Sequence, residues 1–425
     1  MTRTSFIALA FLATGSLAAQ TRKPVCAPDN AGLTLQPGFC ALIVAESIGP
    51  ARHLVVLENG DVLVAVAGGS GGVRLLRDTT GDGKADIVRS FGVGGAAGGG
   101  GGGGTGIAFA GEYLYFATNT TVVRWHWNIG QLEPPGGPDT VVSGLTMRNQ
   151  HAAKSIVVGS DGQLYVNVGA PSNSCQVHDR MPESPGQDPC ALLDIAGGIW
   201  RFDPRHGNQT QLDGQRFVTG IRNAVALAVD PGTGAVFAAQ HGRDQLAANW
   251  PKLYNDAQSA ELPAEEVFRL EAGGDYGWPY CYYDGRRRQQ VLQPEYGGDG
   301  KTVGRCESVP RPVVAFPGHW APDGMTFYNS RHFPIKYRGG LFIAFHGSWN
   351  RGPLPEAGYK VMFVPFARGI ATGAPEVFAD GFAGAVVTPQ GARYRPTGVA
   401  VGPDGSLYVA SDQGEGAVFR ILSQP

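Results

Sequence analysis

Residues 155–168 read SIVVGSDGQLYVNV. Two apolar runs flank the turn-forming triplet Ser160, Asp161 and Gly162, which is a hairpin signal between strand-like segments. The pattern recurs as HLVVLENGDVLVAV from His53, GIAFAGEYLYFAT from Gly106 and ALAVDPGTGAVFAAQ from Ala226. It returns as MTFYNSRHFPIKYRGGLFIAF from Met325 and GVAVGPDGSLYVAS from Gly398, making six copies. A third strand-like run follows each copy: GVRLLRD, TVVRWHW, GIWRFDP, EVFRLEA, KVMFVPF and AVFRILS. Five of these carry an arginine near the middle. A fourth run follows most of them: DIVRSF, TVVSGL, QRFVTGI, PVVAF and EVFADGF. Repetition of four short strands predicts an all-β, six-bladed β-propeller with four-stranded blades.

The last copy ends at Leu422 with no room for a fourth strand. CALIVAES, from Cys40, precedes the first copy and can supply it, which joins the chain ends and removes an open edge. Long inserts near residues 170–197, 244–310 and 370–397 are expected on one face, where propellers carry their sites. A pair of β-sandwiches is the alternative, but it predicts no six-fold echo.

Composition agrees. Glycine, at 64 of 425 residues, is about twice its usual share of roughly 7% and suits many turns. A net charge of −2 gives no general basic footprint for nucleic acid. No apolar run of about 20 residues follows the N-terminal region, so no membrane span is expected. Arg3, the apolar residues 6–13 and the small residues Gly15, Ser16, Ala18 and Ala19 read as a secretory leader over residues 1–19. Residues 20–425 then form a single propeller domain, periplasmic or secreted. Six cysteines in an exported chain predict disulfides, and sequence neighbours pair as Cys26–Cys40, Cys175–Cys190 and Cys281–Cys306. No CxxCH motif for covalent haem occurs.

Candidate site residues sit just before the first strands of blades. His151 precedes the third copy, where a neutral imidazole can take a proton from a hydroxyl. Arg222 and Asn223 precede the fourth copy, Arg393 and Arg395 the sixth, and Arg52 the first. Arginines at equivalent positions of several blades converge on one axis and suit a small polyanion, because the planar fork pairs carboxylates bidentately. Residues 78–86, DTTGDGKAD, read equally as a calcium loop using Asp78, Asp82 and Asp86 or as an acidic turn. The glycine run at 98–104 lacks the Lys and Ser/Thr of a phosphate-binding loop.

The phrases HAAKSIVVGSDGQLYVNVG, SPGQDPC, GGIWRFDP, GIRNAVALAVDP, GGDYGWPYCYY, YRGGLFIAFHGSWNR and YRPTGVAVGPDGSLYVA, in this order, carry a family resemblance. From about Gly38 onward the chain resembles the soluble sugar dehydrogenases that use pyrroloquinoline quinone (PQQ), the glucose/sorbosone dehydrogenase family. It is closer to the sorbosone and pyranose dehydrogenase branch. The resemblance implies PQQ and Ca²⁺ in the channel mouth and oxidation of an aldose, osone or sorbosone-like sugar by hydride transfer. It assigns the general base to His151. Arg222 and Asn223 would lie beside the reactive carbonyl, with Arg393 and Arg395 on the cofactor's carboxylates. Lys154 matches a basic position of the sorbosone-like branch. The backbone carbonyls of Gly242 and Arg243 would bind the calcium. An external acceptor, such as a cytochrome c or a quinone, would take the electrons. Two departures weigh against glucose itself: a Gln of the glucose-oxidising branch is replaced by the 98–104 run, and a cofactor-contacting Lys falls near residues 349–351, where no Lys occurs. Two rival readings are a metal-dependent lactonase, which needs carboxylates converging on the axis, and a non-catalytic ligand-binding propeller, which needs no converging arginines.

Overall fold

A computed structural model describes residues 23–424 apart from 69–70, 93–103 and 149. The expected leader over residues 1–19, and residues 98–103 of the glycine run, lie outside the described residues.

The strands assemble into six antiparallel blades. Blade I comprises Ala51–Val56, Val62–Val66, Gly72–Arg77 and Ile87–Phe91. Blade II comprises Gly106–Ala110, Tyr113–Ala117, Val122–His126 and Asp139–Ser143. Blade III comprises Ile156–Val158, Leu164–Val168, Gly198–Phe202 and Gln215–Thr219. Blade IV comprises Ala226–Val229, Val236–Gln240, Glu265–Arg269 and Val314–Phe316. Blade V comprises Pro322–Phe327, Leu341–Phe345, Lys360–Val364 and Glu376–Asp380. Blade VI comprises Pro396–Val401, Leu407–Ser411 and Ala417–Ser423, and its fourth strand is Phe39–Glu46 from the N-terminal side, antiparallel to Ala417–Ser423. The closure expected from CALIVAES is therefore present, and it pairs the last blade's edge. Two short strands extend blades beyond the repeat, Gln209–Thr210 parallel to blade II and Thr34–Leu35 antiparallel to blade V, and two hairpins stand outside the blades, Cys281–Asp284 with Gln289–Leu292 and Phe366–Ala367 with Ile370–Ala371.

The turn chemistry explains why the hairpins repeat. In the turns around Gly60, Gly162 and Gly405 the same two main-chain bonds close the loop, for example Gly159 N to Gln163 O at 2.8 Å and Gly162 N to Gly159 O at 2.9 Å. Gly162 takes φ of 74°, where any side chain is strained. The arginines of the third strands are structural. Tyr115, Tyr165 and Tyr408 on the second strands stand opposite Arg124, Arg201 and Arg420 in the ladder. These are cross-strand pairs, the basic unit of sheet stabilisation.

Apolar side chains fill the wedges between blades. Between blades V and VI, Phe39, Phe333, Tyr337, Phe342, Phe363 and Phe378 form one aromatic cluster with edge-on contacts, such as Phe39 to Phe333 at 4.7 Å. Each such ring contributes about 1.5–3 kcal/mol by burial. Truncating Phe342, which is fully buried, would cost about 3–5 kcal/mol. The first strands of all six blades line an axial cavity of about 400 Å³. Cys26–Cys40, Cys175–Cys190 and Cys281–Cys306 are all bonded, as expected.

Candidate functional site

Antiparallel order places the start of each first strand, the end of each second and the start of each third on one face. On that face residues from blades I and III–VI line a cavity of about 440 Å³, with Arg52, His151, Arg222, Asn223 and Arg395 among them. Its wall also carries Arg180, His241, Asp244, Glu265, His319, Asp323, His346 and Asp412, with Trp349 and Asn350 from the loop after Phe345.

His151 is held in the left-handed region, at φ 53°. Its Nδ1 meets the carbonyl of Ala170. A carbonyl only accepts, so Nδ1 carries the proton and Nε2 keeps the lone pair. Burial and then the nearby Arg222 charge push the imidazole's pKa well below its ordinary 6.5. A neutral ring with a basic Nε2 at neutral pH is the consequence. Gly169 makes room for it: a Cβ there would lie 2.7 Å from the His151 Cβ and 2.7 Å from Asn223 Oδ1.

Arg222 is 3% exposed. Its guanidinium donates to Asn173 O at 3.1 Å, Asn173 Oδ1 at 3.0 Å, Gly242 O at 2.8 Å and Asp244 Oδ2 at 3.1 Å. The same Asp244 oxygen accepts from Arg180 at 3.1 Å. Burial opposes the Asp244 charge, but Arg222, His319 and Arg180 together hold the carboxyl below its usual range. Asn167 Nδ2 donates to Asn223 Oδ1 at 3.1 Å and fixes that amide.

Opposite lies a second charged group. Asp323 accepts from Arg52 at 2.9 Å and pairs with His241 at 3.0 Å. Asp412 accepts from Arg52 at 2.6 Å and pairs with His346 at 2.8 Å. Burial opposes ionisation of Asp412, yet His346 and Arg52 bring its pKa to about 2. Burial lowers the pKa of His241, but its bond to Asp323 together with the charges of Asp323 and Glu265 outweighs this and the net shift is upward. Burial raises that of Glu265, whose carboxyl accepts from Gly242 N at 2.9 Å. Arg395 differs from Arg52, Arg180 and Arg222: it donates to the carbonyls of His346 at 3.1 Å and Gly347 at 2.7 Å and, among the described residues, forms no carboxylate pair.

The remaining predicted residues lie elsewhere. Arg393 is exposed, with its guanidinium over the Tyr394 ring at 5.0 Å. Lys154 is fully buried behind the wall; its ammonium donates to Ala152 O at 2.7 Å and burial lowers its pKa to about 7. Gly242 lines the cavity, whereas the Arg243 side chain turns into the blade IV insert and pairs with Glu295 at 2.5 Å. The 78–86 loop closes on itself. Asp78 accepts from Gly81 N and Gly83 N, both at 2.7 Å, Asp86 from Thr79 N at 2.7 Å, and Asp82 from Lys84 N at 2.9 Å. Among the described residues no group of three or more His, Cys, Asp or Glu is placed to hold a metal ion.

Sequence reasoning missed Asp244, Glu265, Asp323 and Asp412. Four carboxylates therefore reach the axis beside the converging arginines. Arginine, histidine or main-chain N–H groups engage each of them. A signal existed: His241, His346 and Asp412 each directly follow the second strand of blades IV, V and VI.

The TrAA12-like family model matches residues 33–424. The aldose sugar dehydrogenase YliI of Escherichia coli K12 is 29% identical over 202 residues, 48% of this chain and 42% of that protein. The pyrroloquinoline quinone-dependent pyranose dehydrogenase of Coprinopsis cinerea is 27% identical over 242 residues, 48% of this chain and 31% of that protein. The matched region thus spans less than half of these curated relatives. Among solved structures, the calcium structure of the Trichoderma reesei carbohydrate-active enzymes family AA12 protein superposes with a TM-score of 0.74 at 19% identity, covering 95% of this chain and 99% of that one. At that identity the likeness establishes the fold.

Proposed function

We propose, from the premise that this chain belongs to the TrAA12-like family, that the cavity binds PQQ and that the protein oxidises a sugar. The observation that carries the reading is Arg395. Its guanidinium lines the cavity over the Tyr359 ring at 5.4 Å, and among the described residues its hydrogen-bond acceptors are main-chain carbonyls alone. A cation so placed suits a carboxylate of an entering polyanion. PQQ is planar and bears three carboxylates. A cavity of about 440 Å³ with four guanidiniums on its wall fits such a group in size and in donor chemistry.

When bound, PQQ supplies the two-electron acceptor to which the sugar's hydride passes. Arg395 holds a carboxylate end, and Arg52 and Arg222, already paired to wall carboxylates, line the cavity beside it. His151 receives at Nε2 the proton of the sugar's anomeric hydroxyl, with its Nδ1–H anchored on Ala170 O. Arg222, braced by Asn173 and Asp244, stabilises negative charge that develops beside it. Asn223, fixed by Asn167, orients the reacting group.

Calcium is the finer part of the proposal. The protein would offer the carbonyls of Gly242 and Arg243. Gly242 O already accepts from Arg222 at 2.8 Å, and a carbonyl has a second lone pair for an ion. The three disulfides support an oxidising, extracytoplasmic location. An external carrier would remove the electrons.

The test is reconstitution of the protein with PQQ and Ca²⁺, followed by a screen of aldoses and osones with an artificial dye acceptor. PQQ-dependent dye reduction by at least one sugar is expected. No reduction by any of them, with PQQ bound, would leave a ligand-binding propeller as the better reading.

A further inference from the structure

The outer edge of blade IV carries a second cavity. It is a groove of about 670 Å³ between the edge strand Val314–Phe316 and the hairpin of Cys281–Asp284 with Gln289–Leu292. It shares no lining residue with the cavity at the channel mouth. The tip of the hairpin reads RRR at 286–288. Asp284 builds this turn: its Oδ1 accepts from Arg286 N at 2.9 Å and Arg287 N at 3.0 Å, and its Oδ2 pairs with Arg287 Nε at 3.5 Å. The middle arginine is thereby neutralised. Arg286 and Arg288 line the groove instead, both exposed. Arg288 sits at φ 56°, a conformation that glycine or asparagine takes more readily. Arg311, also exposed, immediately precedes the groove wall at residues 312–317. Burial raises the pKa of the Tyr283 hydroxyl, and the charges of Arg311 and Arg288 both oppose this, so the two guanidiniums bear on one phenol in the groove wall. Among the described residues Arg286, Arg288 and Arg311 form no ion pair, and their guanidiniums make no hydrogen bond.

Three unpaired guanidiniums beside one groove are a local exception in a chain of net charge −2. The carboxylate on the groove wall is already engaged, because Glu261 accepts from Arg351 Nη2. The groove is therefore a local positive site that attracts negative charge from outside. Shape selects the occupant. The edge strand is three residues long and is bracketed by Pro312 and Pro317, and both features discourage pairing with a further peptide strand. Tyr283 and Phe316, the aromatic residues on the wall, are 8% and 4% exposed, so they offer no open face for a nucleobase to stack on. A carbohydrate chain needs neither a strand partner nor a stacking face. In its acidic forms it bears carboxylates along its length, each of which a guanidinium fork can grip in bidentate fashion.

We propose that this groove binds an acidic polysaccharide, a carboxylate-bearing sugar polymer held by Arg286, Arg288 and Arg311. The inference stands apart from the PQQ reading, since none of the three arginines lines the channel-mouth cavity. Occupation of the groove would anchor the protein to such a polymer and leave the mouth free for small sugars.

The test is affinity electrophoresis of the full protein in gels containing polygalacturonate, with calorimetry against an oligomer of the same polymer. The wild type is expected to be retarded, and less so as salt screens the charges. A triple variant, Arg286→Gln with Arg288→Asn and Arg311→Gln, should bind about tenfold more weakly, since each exposed ion pair is worth roughly two- to threefold and three are lost. Arg393→Gln, which removes an exposed arginine elsewhere, should stay within about twofold of wild type. Equal thermal midpoints would show that the triple variant is folded. Fully methyl-esterified polygalacturonate, the same chain without its charge, should not bind. A wild type that polygalacturonate does not retard, or a folded triple variant within about twofold of wild type, overturns the inference. Duplex DNA or phosphatidylglycerol vesicles bound as tightly as polygalacturonate, and released by the same triple substitution, also overturn it and assign the arginines to a different polyanion. None of these outcomes bears on the PQQ reading, which reconstitution tests separately.

Discussion

His151→Asn is the most informative substitution in the cavity. His151 takes φ of 53°, a region that asparagine tolerates better than alanine. Asparagine can still donate its amide N–H to Ala170 O, so the loop loses little. It lacks a basic nitrogen. In the native site the imidazole is anchored through Nδ1 and its pKa lies well below 6.5. At pH 7 a group with a pKa of 6.5 would already be about three-quarters neutral, and the lowered value leaves almost every molecule with Nε2 ready to accept. The substitution therefore removes the full contribution of a general base, about 10²–10⁴ in kcat, or about 2.7–5.5 kcal/mol at the barrier. Stopped-flow reduction of bound PQQ by sugar measures the step directly. PQQ affinity and thermal midpoint, measured alongside, should change little. A reduction rate within tenfold of wild type would refute the assignment. His346, which lines the same cavity, would be tested next.

Other expectations follow from the same geometry. Sugar oxidation should fall on acidification with an apparent pKa below 6.5, because the lowered imidazole pKa keeps the base form to lower pH; a rate–pH profile whose acid limb centres above 6.5 would contradict this. Arg395→Gln should weaken PQQ binding by about 1.5–3 kcal/mol, the worth of a hydrogen bond to a charged group. Arg393→Gln, at an exposed position, should not, and calorimetry on the two single variants separates them. Asp323→Asn should destabilise the fold by about 3 kcal/mol in urea unfolding, the low end for breaking a buried pair, because Arg52 retains Asp412 at 2.6 Å. That loss should shrink below about pH 4, since a carboxylate with a lowered folded pKa contributes above its unfolded value and ceases to as it protonates.

The propeller was legible because its signal is local. Each hairpin, such as residues 155–168, holds both strands and the glycine that turns them within a short window, and the pattern repeats. The closure by Phe39–Glu46 followed from counting strands in the last copy. The site was only half legible. Arg52, His151, Arg222 and Arg395 were found because they precede or begin first strands, where a repeat supplies the alignment. Asp412 and His346 follow second strands, so the same face receives them from a different point of the repeat. Asp323 occupies in blade V the position that Arg52 holds in blade I, and a search for cations alone passes over it. Asp244 and Trp349 belong to inserts that no other blade shares, so no internal comparison marks them. Arg393 lies two residues from Arg395 yet is exposed and away from this cavity wall, because in an irregular segment that spacing does not fix which face a side chain takes.

The central claim, that this cavity holds PQQ against a sugar and a histidine base, is tested most directly by anaerobic addition of sugar to the PQQ-loaded protein while the cofactor's absorbance is followed. Sugar-dependent reduction of the bound cofactor is expected, abolished on this timescale in His151→Asn and dependent on Arg395 for loading. Bound PQQ that no aldose or osone reduces, or a protein that fails to bind PQQ with or without Ca²⁺, would contradict it.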